Sequence, residues 1–199
     1  MTDVDEAVAA IEAGTLAIVP TDTVYGLAAA PSEDAVRRLY LAKGRVEAQP
    51  TALVVHDLDV LRELLPDLSG TQEQIAAALL PGPYTLVLPN PARRFSWLTG
   101  ERYDTIGVRV PALKHPSAEV LQRVSGLAAT SANLPGGPDP RTLGDVPEQL
   151  RLAAAALLDG GELPGTPSTV IDLTGPEPLV LREGVVAADE ALRAVASVL

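Results

Sequence analysis

Three short polar clusters stand where apolar runs stop: Thr21-Asp22-Thr23, Lys43-Gly44-Arg45 and Ser131-Ala132-Asn133. Single residues of similar character, His56, Thr105, Arg109, Ser168, Thr169 and Arg182, stand at the ends of other apolar stretches. Lys43 and Arg45 flank a glycine, so two cations can converge on one phosphate. Arginine brings a planar fork for carboxylate or phosphate, and lysine a point charge. Ser131 and Asn133 are two apart, which in an extended segment puts both on one side. Such groups suit a polar, anionic ligand held in the crevice at strand ends. Each cluster also has an ordinary structural reading. Thr21 to Thr23 can be a turn capping its own backbone, Lys43 can be a snorkelling side chain at a helix end, and Ser131 to Asn133 can be a plain turn.

The elements that must position these residues follow from periodicity. Val4, Val8 and Ile11 share a helical face, with Gly14 placed to end that helix. Leu16 to Val19 reads as a buried strand ended by Pro20, with Thr21 to Gly26 as a loop. Ser32 is placed to cap a helix whose stripe, Val36, Leu39 and Tyr40, continues to Lys43. Thr51 to Val55 reads as a strand, followed by a short helix capped by Asp57 and stopped at Pro66. Thr71-Gln-Glu-Gln74 has the pattern of a capping box opening a helix through Leu80. Strands are expected over Tyr84–Leu88, Thr105–Val110, Gly126–Thr130, Ser168–Leu173 and Pro178–Leu181. Helices are expected from Pro116 to Val124 and from Ala188 to Leu199, while Pro147 to Leu158 has helical propensity with an end that could equally be a strand. The irregular alternation predicts one α/β or α+β domain over residues 1–199, with a mixed sheet covered by helices.

Composition narrows the chemistry. At 199 residues and 47% hydrophobic, the chain can build a substantial core, but aromatics are only 3%, so that core rests on Ala, Val, Leu and Ile. It has no cysteine and two histidines, which excludes disulfides and thiolate metal sites and argues against an imidazole-rich one. The acidic N-terminus lacks the order of a signal peptide and no apolar run is long enough to span a bilayer, so a cytoplasmic protein without membrane contact is expected. A net charge of −11 disfavours a nucleic-acid-binding surface, though a local basic cleft can survive on an acidic protein. A Gly-x-Gly-x-x-Gly after the first strand, a Walker-type loop and a Gly-x-Ser-x-Gly elbow are all missing.

Taken in order, Pro20-Thr-Asp-Thr-Val-Tyr-Gly-Leu27, Lys43-Gly-Arg45, Leu53-Val-Val-His56, Pro81-Gly-Pro-Tyr-Thr85, Gly107-Val-Arg-Val-Pro111, Thr130-Ser-Ala-Asn133, Ser168-Thr-Val-Ile-Asp172 and Leu181-Arg-Glu-Gly184 resemble the YrdC-like family of threonylcarbamoyl-AMP synthases. The resemblance spans about residues 7 to 185 and is to the short, single-domain members. It implies a twisted open mixed sheet flanked by helices, with a concave ligand-binding face. It implies a nucleotidyltransferase that makes threonylcarbamoyl-AMP and pyrophosphate from L-threonine, bicarbonate and ATP, with Mg2+ accompanying the ATP. The product would pass to a transferase complex that modifies the adenosine beside the tRNA anticodon.

Carried over by motif, the resemblance assigns Thr23, His56, Arg109, Ala129 and Ser168 to threonine, with Arg109 on its carboxylate and Ala129 contributing backbone. It assigns Lys43, Arg45, Gln49, Thr105, Ser131, Asn133, Asp139 and Arg182 to the nucleotide, with Lys43 and Arg45 serving the adenylation itself. Three positions depart from the family pattern. Leu134-Pro135 replaces a segment that usually carries a serine, Asp139 puts an acid near phosphates, and Gln49 is neutral where lysine or asparagine is frequent. Two alternatives stand beside this reading. One is a non-catalytic RNA-binding module, against which the net charge counts, so direct tRNA binding is expected to be weak or absent. The other is a carbamoyl-adenylate former using carbamoyl phosphate, a domain expected inside a longer chain with zinc-finger and acylphosphatase parts.

Overall fold

The computed structural model describes residues 3–44, 49–114 and 116–199. Among the described residues nine strands make one mixed sheet: β1 (Ala17–Pro20), β2 (Tyr25–Ala29), β3 (Ala52–Val55), β4 (Tyr84–Pro89), β5 (Thr105–Arg109), β6 (Gly126–Ser131), β7 (Ala156–Leu157), β8 (Thr169–Asp172) and β9 (Leu179–Arg182). Their order is β7-β1-β2-β6-β3-β5-β4-β8-β9. The β1/β7, β3/β5 and β4/β8 pairs are parallel and the others antiparallel. The helices are α1 (Asp3–Glu12), α2 (Glu33–Lys43), α3 (Leu58–Leu64), α4 (Gly70–Leu79), α5 (Ser117–Val124), α6 (Glu148–Ala153) and α7 (Ala188–Ala196).

Strand alternation sorts the sheet into two faces. Leu53 and Val55, Leu86 and Leu88, and Ile106 and Val108 all join one core with Val36 and Leu39 of α2, Leu61 of α3, Ile75 of α4 and Val195 of α7. The opposite face is covered over only part of its width. There Val4, Val8 and Ile11 of α1 and Val120 and Leu121 of α5 pack on Ala17, Val19, Ala28 and Leu127. Beyond these helices, Thr85 and Val87 of β4 and Thr105, Gly107 and Arg109 of β5 face a cleft instead of a core. A sheet with one face covered edge to edge and the other only halfway leaves a concave floor.

Several elements depart from the sequence expectation. Residues 25 and 26 do not belong to a loop: Tyr25–Ala29 is a fully buried strand, paired with both β1 and β6. The loop is only the tight turn Thr21 to Val24, closed by Thr21 N–H to Val24 O at 3.2 Å. Tyr25 is a good strand former, and pairing on two sides outweighs the turn tendency of Gly26. The helix expected from Thr71 begins at Gly70 instead, where φ is +62°, and Ser69 makes no side-chain cap bond. A capping box does form at Thr142 and Asp145, where the Asp145 carboxylate accepts from Thr142 N–H at 2.8 Å. Ser32 holds the cap position of α2 without a side-chain bond, whereas Asp57 accepts from Val60 N–H at 2.8 Å as expected. The ambiguous 147–158 stretch is both things in turn, α6 and then β7.

Candidate active site

Thr105, Gly107 and Arg109, at alternate positions of β5, form the floor of a cleft of about 500 Å³. Ala52 and Val54 of β3 lie on one side of them and Thr85 and Val87 of β4 on the other. The Thr21–Val24 turn, Arg102, Ser168 and Arg182 supply the walls. The volume is that of a small-molecule site, and apolar lining from Ala52, Val54 and Val87 with a few convergent polar groups is the usual make-up of one. Seven residues expected in the site from the sequence, Thr23, Thr105, Arg109, Ala129, Ser131, Ser168 and Arg182, line this single cleft.

Arg109 is the most constrained of them. Its Nη2 donates to Asp22 Oδ1 at 2.7 Å, and the two side chains are only 11% and 10% exposed. Asp22 Oδ2 accepts from Ala112 N–H at 3.3 Å, so the turn is tied to the segment that follows β5. Arg109 Nε is buried and has no hydrogen-bond partner among the described residues. Leaving a buried donor unsatisfied costs about 1–3 kcal/mol. Burial pushes the Arg109 pKa down; Asp22 opposes this, and the nearby Arg182 cation adds to it. Arg182 is itself lowered by desolvation, against which Asp139 acts. Two guanidinium cations that disfavour each other across one cleft make it receptive to negative charge.

Lys43, Asn133 and Asp139 are not among the described residues lining the cleft and stand behind Ser131, which is; Lys43 is the last residue of α2, where Gly44 in the left-handed conformation turns the chain away. The lysine is 5% exposed, so it does not snorkel. Its Nζ donates to Ser131 O at 2.6 Å, Asn133 Oδ1 at 3.2 Å and Thr130 Oγ1 at 3.4 Å. Asn133 Oδ1 also accepts from Ser131 Oγ at 2.7 Å, and its amide donates to Gly137 O at 2.8 Å and Asp139 Oδ1 at 3.4 Å. Lys43, Ser131, Asn133 and Asp139 thus form one connected network, and Asp139 sits close enough to Arg182 to offset part of its desolvation. On the opposite wall, Ser168 Oγ meets Thr85 Oγ1 at 2.8 Å, and Arg182 Nη2 donates to Ser168 O at 2.8 Å.

Other expected residues stand apart. His56 lies just past β3, its Nδ1 3.1 Å from Asp57 Oδ2, and it is not among the described residues lining the cleft. The Asp57 pKa is lowered first by the Val60 N–H and then by His56. Gln49 is exposed in the connection before β3, although its neighbour Pro50 does line the cleft. Arg45 lies outside the described residues.

Residues 9–184 match the family Sua5/YciO/YrdC, described as "Telomere recombination". The chain belongs to this family. The threonylcarbamoyl-AMP synthase of Pyrococcus abyssi is 40% identical over 178 residues, covering 87% of this chain and 52% of that one. A protein of Mycobacterium tuberculosis named putative threonylcarbamoyl-AMP synthase is 37% identical over 186 residues, covering 92% of this chain and 84% of its own. The crystal structure of P. abyssi Sua5 complexed with L-threonine superposes with a TM-score of 0.81 at 35% identity, over 98% of this chain and 58% of that one. This chain therefore spans about half the length of the Pyrococcus relative and most of the Mycobacterium one.

Three features of this Sua5/YciO/YrdC site escaped sequence reasoning. Asp22 reads as part of a turn, since nothing local announces a partner 87 residues away. Thr85 did carry a signal: in Thr85-Leu86-Val87-Leu88 the two leucines claim one face and put the threonine on the other. Arg102 lies in an irregular stretch, yet its Nη1 donates to Asp172 Oδ2 at 2.9 Å and its side chain forms part of the cleft wall.

Proposed function

We propose that the protein is an L-threonylcarbamoyladenylate synthase, joining L-threonine, bicarbonate and ATP into threonylcarbamoyl-AMP with release of pyrophosphate and water. The observation that carries this reading is a pair of guanidinium cations, Arg109 and Arg182, lining one cleft of small-molecule size. Arg109 would take the threonine carboxylate, with Thr23, Ser168 and the Ala129 backbone around the rest of the amino acid. His56 would reach the threonine only by moving from its place beside Asp57. Thr105, Ser131, Asn133 and Arg182 would hold the nucleotide with Lys43, while Gln49, Arg45 and Asp139 would complete the phosphate side.

The threonine amine, having lost a proton, forms the C–N bond of a carbamate with bicarbonate, and water leaves. A carbamate oxygen then forms a bond to the α-phosphorus of ATP as the bond to the bridging oxygen breaks, and that oxygen's electron pair leaves with pyrophosphate. Displacement at phosphorus needs positioning and neutralisation of spreading charge more than a covalent nucleophile. Cations held on a rigid framework suit that work. Among the described residues no three His, Cys, Asp or Glu side chains gather as a metal site. Mg2+ would come as a companion of ATP, held mainly by phosphate oxygens and water, as this ion often is; it would supply further neutralisation of phosphate charge.

The product would feed a transferase complex acting on tRNA in the cytoplasm. Direct binding of tRNA by this acidic chain is expected to be weak. No helix among the described residues is long and apolar enough to cross a membrane. Incubating the purified protein with ATP, Mg2+ and bicarbonate, with and without L-threonine, tests the proposal through pyrophosphate. Release that depends on threonine supports it. Release indifferent to threonine, or tight tRNA binding without turnover, overturns it.

A further inference from the structure

Gly107 is the middle residue of the cleft-facing trio on β5. A glycine inside a strand weakens it, having no side chain to pack and extra backbone freedom to lose on folding. Two structural causes commonly keep one in place: a positive φ, or backbone pressed against it. Gly107 is not among the positive-φ glycines. A Cβ built on it would meet Thr85 Cγ2 at 3.7 Å, an ordinary van der Waals contact, and nothing else within 4 Å. Gly184 shows the contrast, since a Cβ there would lie 2.2 Å from Pro167 O. The fold tolerates a side chain at 107, so the space above it belongs to the cleft.

That space has a definite place along the site. At about 3.3 Å per residue, Thr105 and Arg109 each stand about 7 Å from Gly107, on opposite sides of it. In the synthase reading Arg109 takes the threonine carboxylate and Thr105 the nucleotide, so the two halves of the product meet above Gly107. Val87, directly opposite Gly107 on β4, and Val54 of β3 bound this space with apolar surface.

We propose that Gly107 determines whether the two bound substrates can be joined in the cleft: its missing side chain keeps room for the carbamoyl–phosphate linkage, the group formed when a carbamate oxygen bonds to the α-phosphorus and pyrophosphate departs. The proposal rests on the synthase reading. It separates residues that hold one substrate from a position that matters only when the substrates are joined.

Gly107→Ala and Gly107→Val test it. Each variant is measured for melting temperature, for binding of L-threonine alone and of ATP alone by calorimetry, and for threonine-dependent pyrophosphate release. Both should melt no lower than the wild type and bind each substrate separately as the wild type does. In the valine variant kcat should fall about a hundredfold, as for a displacement of about 1 Å at a reacting centre; the alanine variant should fall between. A valine variant with wild-type kcat overturns the proposal, as does a rate loss matched by equal loss of both separate affinities. An alanine variant that fails to fold overturns it too, by showing a structural glycine. If the wild type itself releases no pyrophosphate on adding threonine, the synthase reading falls and this proposal with it. An active wild type beside an equally active valine variant sinks the Gly107 role alone.

Discussion

Asp22 and Arg109, 87 positions apart in the chain, meet at 2.7 Å in the buried back of the cleft and hold each other in place. Asp22 is not itself among the described residues lining the cleft, whereas Arg109 is. The carboxylate therefore grips the guanidinium from behind, while Nε–H has no acceptor among the described residues. Truncation of one partner of a buried pair leaves the other charge uncompensated, at a cost of about 3–5 kcal/mol. Asp22→Ala should lower stability to urea by an amount of that order and raise the KM for threonine. An Asp22→Ala protein with unchanged urea midpoint and unchanged threonine KM would show the pair to be incidental.

Arg109 itself should matter through its planar fork as well as its charge. Arg109→Lys keeps a cation but loses the planar arrangement of donors. We expect Arg109→Lys to raise the threonine KM by at least about tenfold, equivalent to about 1.4 kcal/mol, with a smaller effect on the KM for ATP. Steady-state kinetics with each substrate varied in turn separates the two. Equal changes in both would mean that Arg109 does not address the amino acid.

Lys43→Ala should have two separable consequences. Removing the ammonium takes the common donor away from Ser131 O and Asn133 Oδ1, so hydrogen exchange should quicken in the 130–133 segment. Adenylate formation should fall by about a hundredfold or more, the scale seen when a preorganised stabilising donor is lost. Pyrophosphate release at the wild-type rate would remove Lys43 from the chemistry.

Tyr25→Phe tests the tie between β2 and the 159–161 segment. The phenol oxygen lies 2.9 Å from Asp159 Oδ1, 2.8 Å from Gly161 O and 2.9 Å from Gly160 N. Its single proton can serve only one of the first two at a time, while Gly160 N–H donates to it. Deleting the hydroxyl strands these partners and should cost about 1–3 kcal/mol in urea denaturation. A phenylalanine variant as stable as the wild type would show that water replaces the hydroxyl without cost.

The Asp172 carboxyl predicts behaviour in acid. Burial raises its pKa, but hydrogen bonds from Thr174 and from Arg102 overcome that and leave the folded value below the usual aspartate range. A depressed folded pKa gives stability that is present above the unfolded value, about 3.9, and is lost as pH falls through the folded one. Arg102→Ala should therefore make the protein less stable near neutral pH, and the difference from wild type should narrow below about pH 4. Urea midpoints measured across that range check the sign. A difference that stays constant with pH would rule out the carboxylate as its origin. The effect should be small because Arg102 is half exposed and solvent screens it.

Much of this architecture was legible along the chain because it depends on neighbours a few residues apart. The Val4-Val8-Ile11 stripe made α1, the leucines of Leu86 and Leu88 chose the covered face of β4, and Asp57 capped α3. Strand β2 was hidden because Thr21 to Gly26 is rich in turn-prone residues, while its pairing with β6 involves partners about a hundred positions on, as in Gly26 opposite Ser131. Sequence spacing brought Ser131 and Asn133 to one side of the chain, but could not choose between an inward and a snorkelling Lys43. The packing of α2 against β2, which brings its last residue within hydrogen-bond reach of Ser131 and Asn133, made that choice.

Residue type alone determined that this chain offers cations, hydroxyls and amides at strand ends, without thiols and with few imidazoles, and so limited its chemistry to binding and polarising a polar anionic ligand. Motif order placed it in a family. Which of those groups share one cleft was decided only by the sheet. Strand order sets β5 between β3 and β4, so Arg109 is carried to the turn that bears Asp22, while α1 and α5 stop short of that part of the face. Contacts of that kind depend on how distant segments pair, and a local pattern of residues carries no information about a partner 87 positions away.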